Sequence, residues 1–222
     1  GKDSLSMVKL FADAKRRFPF SFRLDAVTVD GGFDRFDFDA VGSFCAGCGV
    51  DYKALRDPIF KIIKENSAPG NIPCVMCARM RRGVLYSYAA ENGYGKIALG
   101  HHREDSLETL MMNVFFNARI AAMPPKLISD DGRNAVIRPL CDAPEAWIAR
   151  YAEINRLPVQ KPLCPLAKDG KEEDGKRVYV RRLLDSLDAE FPDAVANAHA
   201  SLRRVSLRHL PPQEKKRAPQ ED

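Results

Sequence analysis

Three stretches hold residue types whose spacing can do chemistry. The first is "IPCVMCARMRRGVL", residues 72–85, in which Cys74 and Cys77 stand three apart and Arg79, Arg81 and Arg82 follow. On a helix, residues three apart share a face. A helix start with cations nearby favours thiolates, the form that ligates metals. Two thiolates do not close a tetrahedral site, and "KPLCPLA" offers Cys164 as a third ligand. Three cysteines suit an iron–sulfur cluster with one iron left open. A zinc site would want a fourth ligand, either Cys141 or a histidine.

The second stretch is "GKDS", Gly1 to Ser4, heading a helix. The free N–H groups and dipole of a helix start favour phosphate. Lys2 adds a cation, Ser4 a hydroxyl donor, and Asp3 a carboxylate able to hold Mg²⁺. A helix cap is the plain alternative. The third stretch is "ALGHHREDSLET", residues 98–109. Here a short strand ends at Gly100, and His101, His102 and Asp105 sit at the start of the next helix. Capping explains the acids of such a turn but not two adjacent histidines. A second CxxC, Cys45 and Cys48 in "FCAGCG", reads either as a zinc or redox pair or as small residues closing a helix. The helix-closing reading is preferred, because this pair lacks a cationic helix-start setting.

Alternating elements must position these groups. Helical patterns cover 4–17, 39–47, 57–66, 74–92 and 105–117, and a further helix begins at Pro144 in "PEAWIARYAEIN". Strand patterns cover 23–30, 50–55, 96–100 and 135–140, the third of them short and buried. Strands alternating with helices imply an α/β fold with a doubly wound parallel sheet, covered on both faces. Such sheets bind ligands at the carboxyl ends of their strands, which is where Gly100, His101, His102 and Asp105 fall. From 143 to 210 only helices and loops are expected, a small helical C-terminal appendage that contributes Cys164. Residues 166–177 read as a polar, flexible insertion and 211–222 as a disordered tail.

The 222 residues suffice for one sizeable core or a main domain with a small addition. No apolar run approaches the roughly 18 residues of a membrane helix, and the charged first helix is no signal peptide. A soluble, cytoplasmic protein is expected. Six cysteines in such a chain point to metal or redox chemistry rather than disulfides. The net charge of +5 is modest but clustered, at 15–17, Arg79/Arg81/Arg82, Arg181-Arg182, Arg203-Arg204 and 215–217. Such clusters suit a polyanionic partner such as RNA.

In order along residues 1–165, the chain carries "GKDS", a CxxC followed by "ARMRRG", "GHHREDSLET", "MPPK" and "IRPL". This combination, closest over 73–140, resembles tRNA 2-thiocytidine synthetases of the TtcA type, within the N-type (PP-loop) ATP pyrophosphatases. The resemblance implies an adenine nucleotide alpha-hydrolase-like fold over residues 1–142, with the first strand and the start of the SGGKDS loop missing. It implies an ATP-dependent tRNA sulfurtransferase using ATP, Mg²⁺ and a [4Fe-4S] cluster on Cys74, Cys77 and Cys164. A cytidine in the tRNA anticodon loop would be adenylated on its C2 oxygen and then take sulfur through the cluster. Catalytic roles would fall to Asp3, His101, His102 and Asp105, nucleotide binding to Gly1, Lys2, Asp3, Ser4 and Gly100, and RNA contact to Arg79, Arg81, Arg82 and Lys126. The partners would be tRNA, a sulfur donor (a cysteine desulfurase or sulfide) and, as one state, a second copy of the chain, with no membrane. The competing expectations are a related enzyme that thiolates uridine or activates another substrate, and a catalytically impaired RNA- or metal-binding relative. Two features depart from the family pattern: Cys164 is followed by Pro-Leu-Ala rather than by a second CxxC, and Cys45/Cys48 has no family counterpart.

Overall fold

The computed structural model describes residues 1–15, 17–32, 36–66, 74–129, 132–160 and 175–211. Cys164, the polar stretch up to residue 174 and the tail from 212 lie outside the described residues. Helix α1 (Lys2–Ala14) leads into strand β1 (Asp25–Asp30), helix α2 (Phe38–Gly47) and strand β2 (Asp51–Arg56). Asp37 starts α2 by accepting a hydrogen bond from the Ala40 N–H at 2.8 Å, the N-cap role for which a short carboxylate is suited. Strands β1 and β2 pair in parallel, Asp25 opposite Asp51 through Asp30 opposite Arg56. Helices α3 (Ile59–Asn66) and α4 (Cys74–Glu91) follow, and Gly93, at φ 73°, makes the left-handed turn into strand β3 (Lys96–Ala98). Helix α5 (Arg103–Asn117) precedes strands β4 (Lys126–Ile128) and β5 (Ala135–Ile137). Helices α6 (Glu145–Ile154), α7 (Gly175–Glu190) and α8 (Ala194–Ser201) complete the described elements, with a 3-10 turn at Leu207–His209.

The α/β class and the parallel pairing are as expected, with β1 beside β2 and β3 beside β5. Helices lie on both faces of the first pair. Tyr52 packs into the cluster that holds Val41 and Cys45 of α2, whereas the next residue, Lys53, lies over the ring of Tyr88 on α4. Neighbouring strand residues point to opposite faces, so α2 and α4 flank the sheet.

Four details differ from the sequence reading. Strand β4 was not expected; it adds an antiparallel edge to β5, with Lys126 opposite Ile137. At three exposed residues it is too short to show alternation. Strand β3 is partly exposed rather than buried. Pro144 caps α6 from outside, with ψ 140°, instead of opening it. Residues Gly175–Arg177, assigned to the flexible insertion, are the first turn of α7.

The core is divided by position. Leu5, Val41, Cys45, Val50, Ala152 and Leu157 join α1, α2 and α6 beneath β1 and β2. Met7, Leu140 and Ile148 tie α1 to α6 and the turn after β5. Leu107, Leu110, Val180, Leu184 and Val195 seat α7 and α8 on α5. Cys45 has no exposed surface, and burial, with Cys48 nearby, pushes its thiol up to about 11. A protonated core thiol packs as a small apolar group, in keeping with the helix-closing reading of Cys45 and Cys48. Among the described residues no helix is long and apolar enough to cross a membrane.

One ion cluster crosses the third core. The Glu108 side chain is 1 % exposed and takes Arg177 Nη1 at 3.0 Å on one oxygen and Arg181 Nε at 2.8 Å on the other. This clamp ties the N-terminal half of α7 to α5. The Arg177→Ala/Arg181→Ala double variant strands the buried carboxylate. It is expected to lose about 3–5 kcal/mol of stability in urea titration, partly regained by adding Glu108→Leu.

Candidate active site

The first turn of α1 and the turn after β3 meet in direct backbone contact. A Cβ added at Gly100 would lie 3.0 Å from both Asp3 C and Ser4 N, and 3.2 Å from Asp3 Cβ. Only a residue without a side chain permits this approach. No side chain caps α1 at Gly1, so the N–H groups of its first turn are open to an anion. Gly1 and Ser4 are exposed, while Lys2 and Asp3 are half-buried.

Lys2 Nζ sits between two carboxylates, 2.9 Å from Asp3 Oδ1 and 2.7 Å from Glu145 Oε1. Burial opposes the ammonium charge, but the bonds to Glu145 and Asp3 outweigh it and raise the Lys2 pKa. Asp3 Oδ1 is buried, and its partner is the Lys2 ammonium at 2.9 Å. Such an oxygen suits a cation ligand that arrives with the substrate.

His102 precedes α5 and is 5 % exposed. Its Nδ1 meets Glu104 Oε2 at 3.1 Å; its Nε2 lies 3.5 Å from Asp105 Oδ2 and 3.8 Å from Glu145 Oε1. Burial works against a charged ring here, yet the Glu104 bond and the charges of Asp105, Glu145 and Asp3 together raise its pKa. Asp105 also caps the helix, accepting from the His102 N–H at 2.9 Å, so the capping reading of this turn holds for the acid. His101 differs from its neighbour. Burial lowers its pKa, Arg138, His102 and Arg177 push the same way against Asp105, and its buried Nδ1 has no partner. Adjacent in sequence, the two histidines are thus biased oppositely, His102 toward the cationic form and His101 toward the neutral one.

Glu104 is the hub. It binds Arg103 at 2.8 Å, His102, and the backbone N–H of Glu145 at 2.9 Å. Burial would raise its pKa, but these donors and its own backbone bring it to about 2.

The structure thus brings together Gly1, Lys2, Asp3, Ser4, Gly100, His101, His102 and Asp105. Sequence reading missed Glu104, Glu145 and Arg138. Glu104 stood inside the quoted motif and looked like a first-turn acid. Glu145 had no signal, because its partner is at the other end of the chain. Arg138 is buried, donates to the Pro124 carbonyl at 2.6 Å, and lies close enough to His101 and Arg82 to influence both electrostatically.

Cys74 opens α4 and Cys77 stands one turn further on, half-buried. Arg79, Arg81 and Arg82 are exposed on the same helix, and Lys126 is exposed on the edge strand β4. A short turn joins α4 to β3, so the start of α4 stands at the carboxyl ends of the strands. The proximity of Arg82 to Arg138, just after β5, fits that placement. Among the described residues no three His, Cys, Asp or Glu side chains form a metal-holding group. Cys164, the expected third cysteine ligand, lies outside them. Mg²⁺ needs no such cage, since it is held by one or two carboxylates and the substrate phosphates, for which Asp3 and Asp105 are available.

The family model of the PP-loop domain matches residues 1–160. The tRNA-cytidine(32) 2-sulfurtransferase of Deinococcus radiodurans is 41 % identical over 210 residues, which span 95 % of this chain and 69 % of that protein. The enzyme of the same name from Aeromonas salmonicida is 37 % identical over 95 % of this chain and 68 % of its own. Among solved structures, the U34-tRNA thiolase NcsA of Methanococcus maripaludis, with its [4Fe-4S] cluster, superposes with a TM-score of 0.74. It is 26 % identical and covers 95 % of this chain and 71 % of its own.

Two outcomes test the geometry. Gly100→Ala forces either the loop or the strand end to move. It is expected to cost about 1–3 kcal/mol and to weaken ATP binding in calorimetry. Because the folded-state pKa of Glu104 lies below its unfolded value of 4.5, its contribution is full above that pH and is lost as pH falls toward 2. Wild type should therefore lose roughly 3 kcal/mol more than Glu104→Gln between pH 5 and pH 2, as read by denaturant titration at each pH.

Proposed function

Because the chain belongs to the PP-loop family, and within it to the tRNA-cytidine(32) 2-sulfurtransferases, we propose that it thiolates a cytidine of the tRNA anticodon loop at the expense of ATP. The observation that carries this reading is the seating of Gly100 on Asp3 and Ser4. It joins an uncapped helix start, able to hold phosphates, to a turn bearing two unlike histidines. Relatives named for cytidine are 37–41 % identical, and the neighbour named for uridine 34 is 26 % identical, so cytidine is the preferred target.

Lys2 and the first N–H groups of α1 hold the phosphates in line. Four carboxylates, Asp3, Glu104, Asp105 and Glu145, surround Lys2, Arg103 and His102. This acidic ring would repel a bare triphosphate and accepts one neutralised by Mg²⁺, with Asp3 and Asp105 as the ligands. The C2 oxygen of the base attacks the α-phosphorus and pyrophosphate leaves, its charge met by Lys2. The exchange turns a poor leaving group into AMP. Sulfur then attacks C2, the C2–O bond breaks and AMP departs. The sulfur arrives at the sulfide level, and as the thiocarbonyl forms its S–H proton passes to His101, neutral and with an open Nδ1.

Cys74, Cys77 and Cys164, the last supplied by the helical region after residue 142, would hold a [4Fe-4S] cluster. When bound, the cluster supplies an iron without a cysteine ligand for the incoming sulfur. The start of α4 at the carboxyl ends of the strands suits that role. Arg79, Arg81, Arg82 and Lys126 face the RNA backbone. The target base lies in a single-stranded loop and enters the site without breaking a duplex. A cytoplasmic location, a desulfurase or sulfide as sulfur donor, and a homodimer complete the proposal.

The test is anaerobic purification followed by iron and sulfide analysis, with mass spectrometry of tRNA digests. About four irons per chain, lost in Cys164→Ala together with formation of 2-thiocytidine, is the expected result. Zinc in place of iron, or iron indifferent to Cys164, would overturn the cluster assignment. 2-Thiouridine in the digest would overturn the cytidine target.

A further inference from the structure

The mechanism gives Glu145 no task, yet this side chain occupies the place a phosphate must take. Its Oε1 is 2.7 Å from Lys2 Nζ, closer than Asp3 Oδ1 at 2.9 Å. Its backbone is fixed, because the N–H donates to Glu104 Oε2 at 2.9 Å. Its side chain is 42 % exposed, so it can swing. A second cationic group waits within reach, since His102 Nε2 lies 3.8 Å from the same oxygen. The helix start of α1 has no capping side chain of its own. A carboxylate therefore stands on the ammonium that the phosphate chain needs.

The geometry points to Glu145 as an affinity-setting counterion, an internal anion that phosphate must displace from Lys2 and that His102 then receives. Any ligand reaching Lys2 pays for breaking the Lys2–Glu145 pair. Inorganic phosphate, with little else to hold it, is turned away. Mg²⁺-bound polyphosphate, which also engages Asp3 and the helix N–H groups, offsets the cost. Glu145 thus sets how tightly any phosphate holds the site, so that weak ligands fall below useful affinity, and it helps eject phosphate products once their other contacts are gone. This inference rests on the phosphate-loop reading of Gly1 to Ser4.

Calorimetric titration of the full chain with Mg²⁺-ATP, Mg²⁺-pyrophosphate and inorganic phosphate tests it, on wild type, Glu145→Gln and Glu145→Ala. Both variants keep the backbone bond to Glu104, and a thermal melt of each confirms folding. Removing a partly exposed pair of this kind should tighten both ligands by about three- to tenfold and raise the affinity for inorganic phosphate by a similar factor. A purely structural role would move affinity the other way. Unchanged or weaker binding in both variants, with wild type still binding ATP, would overturn the counterion role alone. Absence of ATP binding to wild type as well would overturn the phosphate-loop reading, and this inference with it.

Discussion

The contact between Gly100 and the first turn of α1 decides what this molecule can do. Two backbones approach so closely that a methyl group between them would press on main-chain atoms at 3.0 Å. That proximity places the open N–H groups of one helix beside the capped turn of another. Neither helix start alone makes a site. Side by side they bring an uncapped helix start next to two histidines.

Electrostatics then sets the state of the site. Carboxylates outnumber the cationic groups they surround, and Glu104 distributes the charge. By binding Arg103, His102 and the Glu145 N–H it ties the starts of α5 and α6 together. The arrangement keeps His102 toward its charged form and leaves His101, one residue earlier, toward its neutral form. A dense network in a partly dry site strengthens each of its bonds, so the geometry is held before any ligand arrives. Divalent metal with the nucleotide is the natural complement to such a ring.

The C-terminal helices serve the site from behind. Helix α7 is locked to α5 by apolar packing at Val180 and Leu184 and by the two arginines on Glu108. A fully buried acid would be costly alone, and its two guanidinium partners make it a fixed point. Helix α6 plays a corresponding part for α1, through Ile148 and Ala152, and carries Glu145 to Lys2.

Much of the candidate site was legible in the sequence, because its groups lie in short contiguous stretches. Local spacing places Cys74 and Cys77 in one helical turn, and a strand–glycine–histidine run marks the end of β3. The same local rules located α1 to α6 and four of the five strands, since 3.6 and 2 are periods a few residues can display, whereas α7 and α8 were expected only as helices somewhere after residue 143. Strand β4 escaped because three exposed residues show no period, and Gly175–Arg177 because their polar composition matches that of the stretch before them. By itself, then, the sequence determined the α/β class, the approximate position of the first six helices and the residue types able to bind phosphate, metal and RNA. Only the tertiary structure decided that Glu145 meets Lys2, that Glu104 joins three partners, and that adjacent histidines titrate apart. Those outcomes depend on burial and on distances of a few ångströms between segments remote in the chain, which no local pattern encodes.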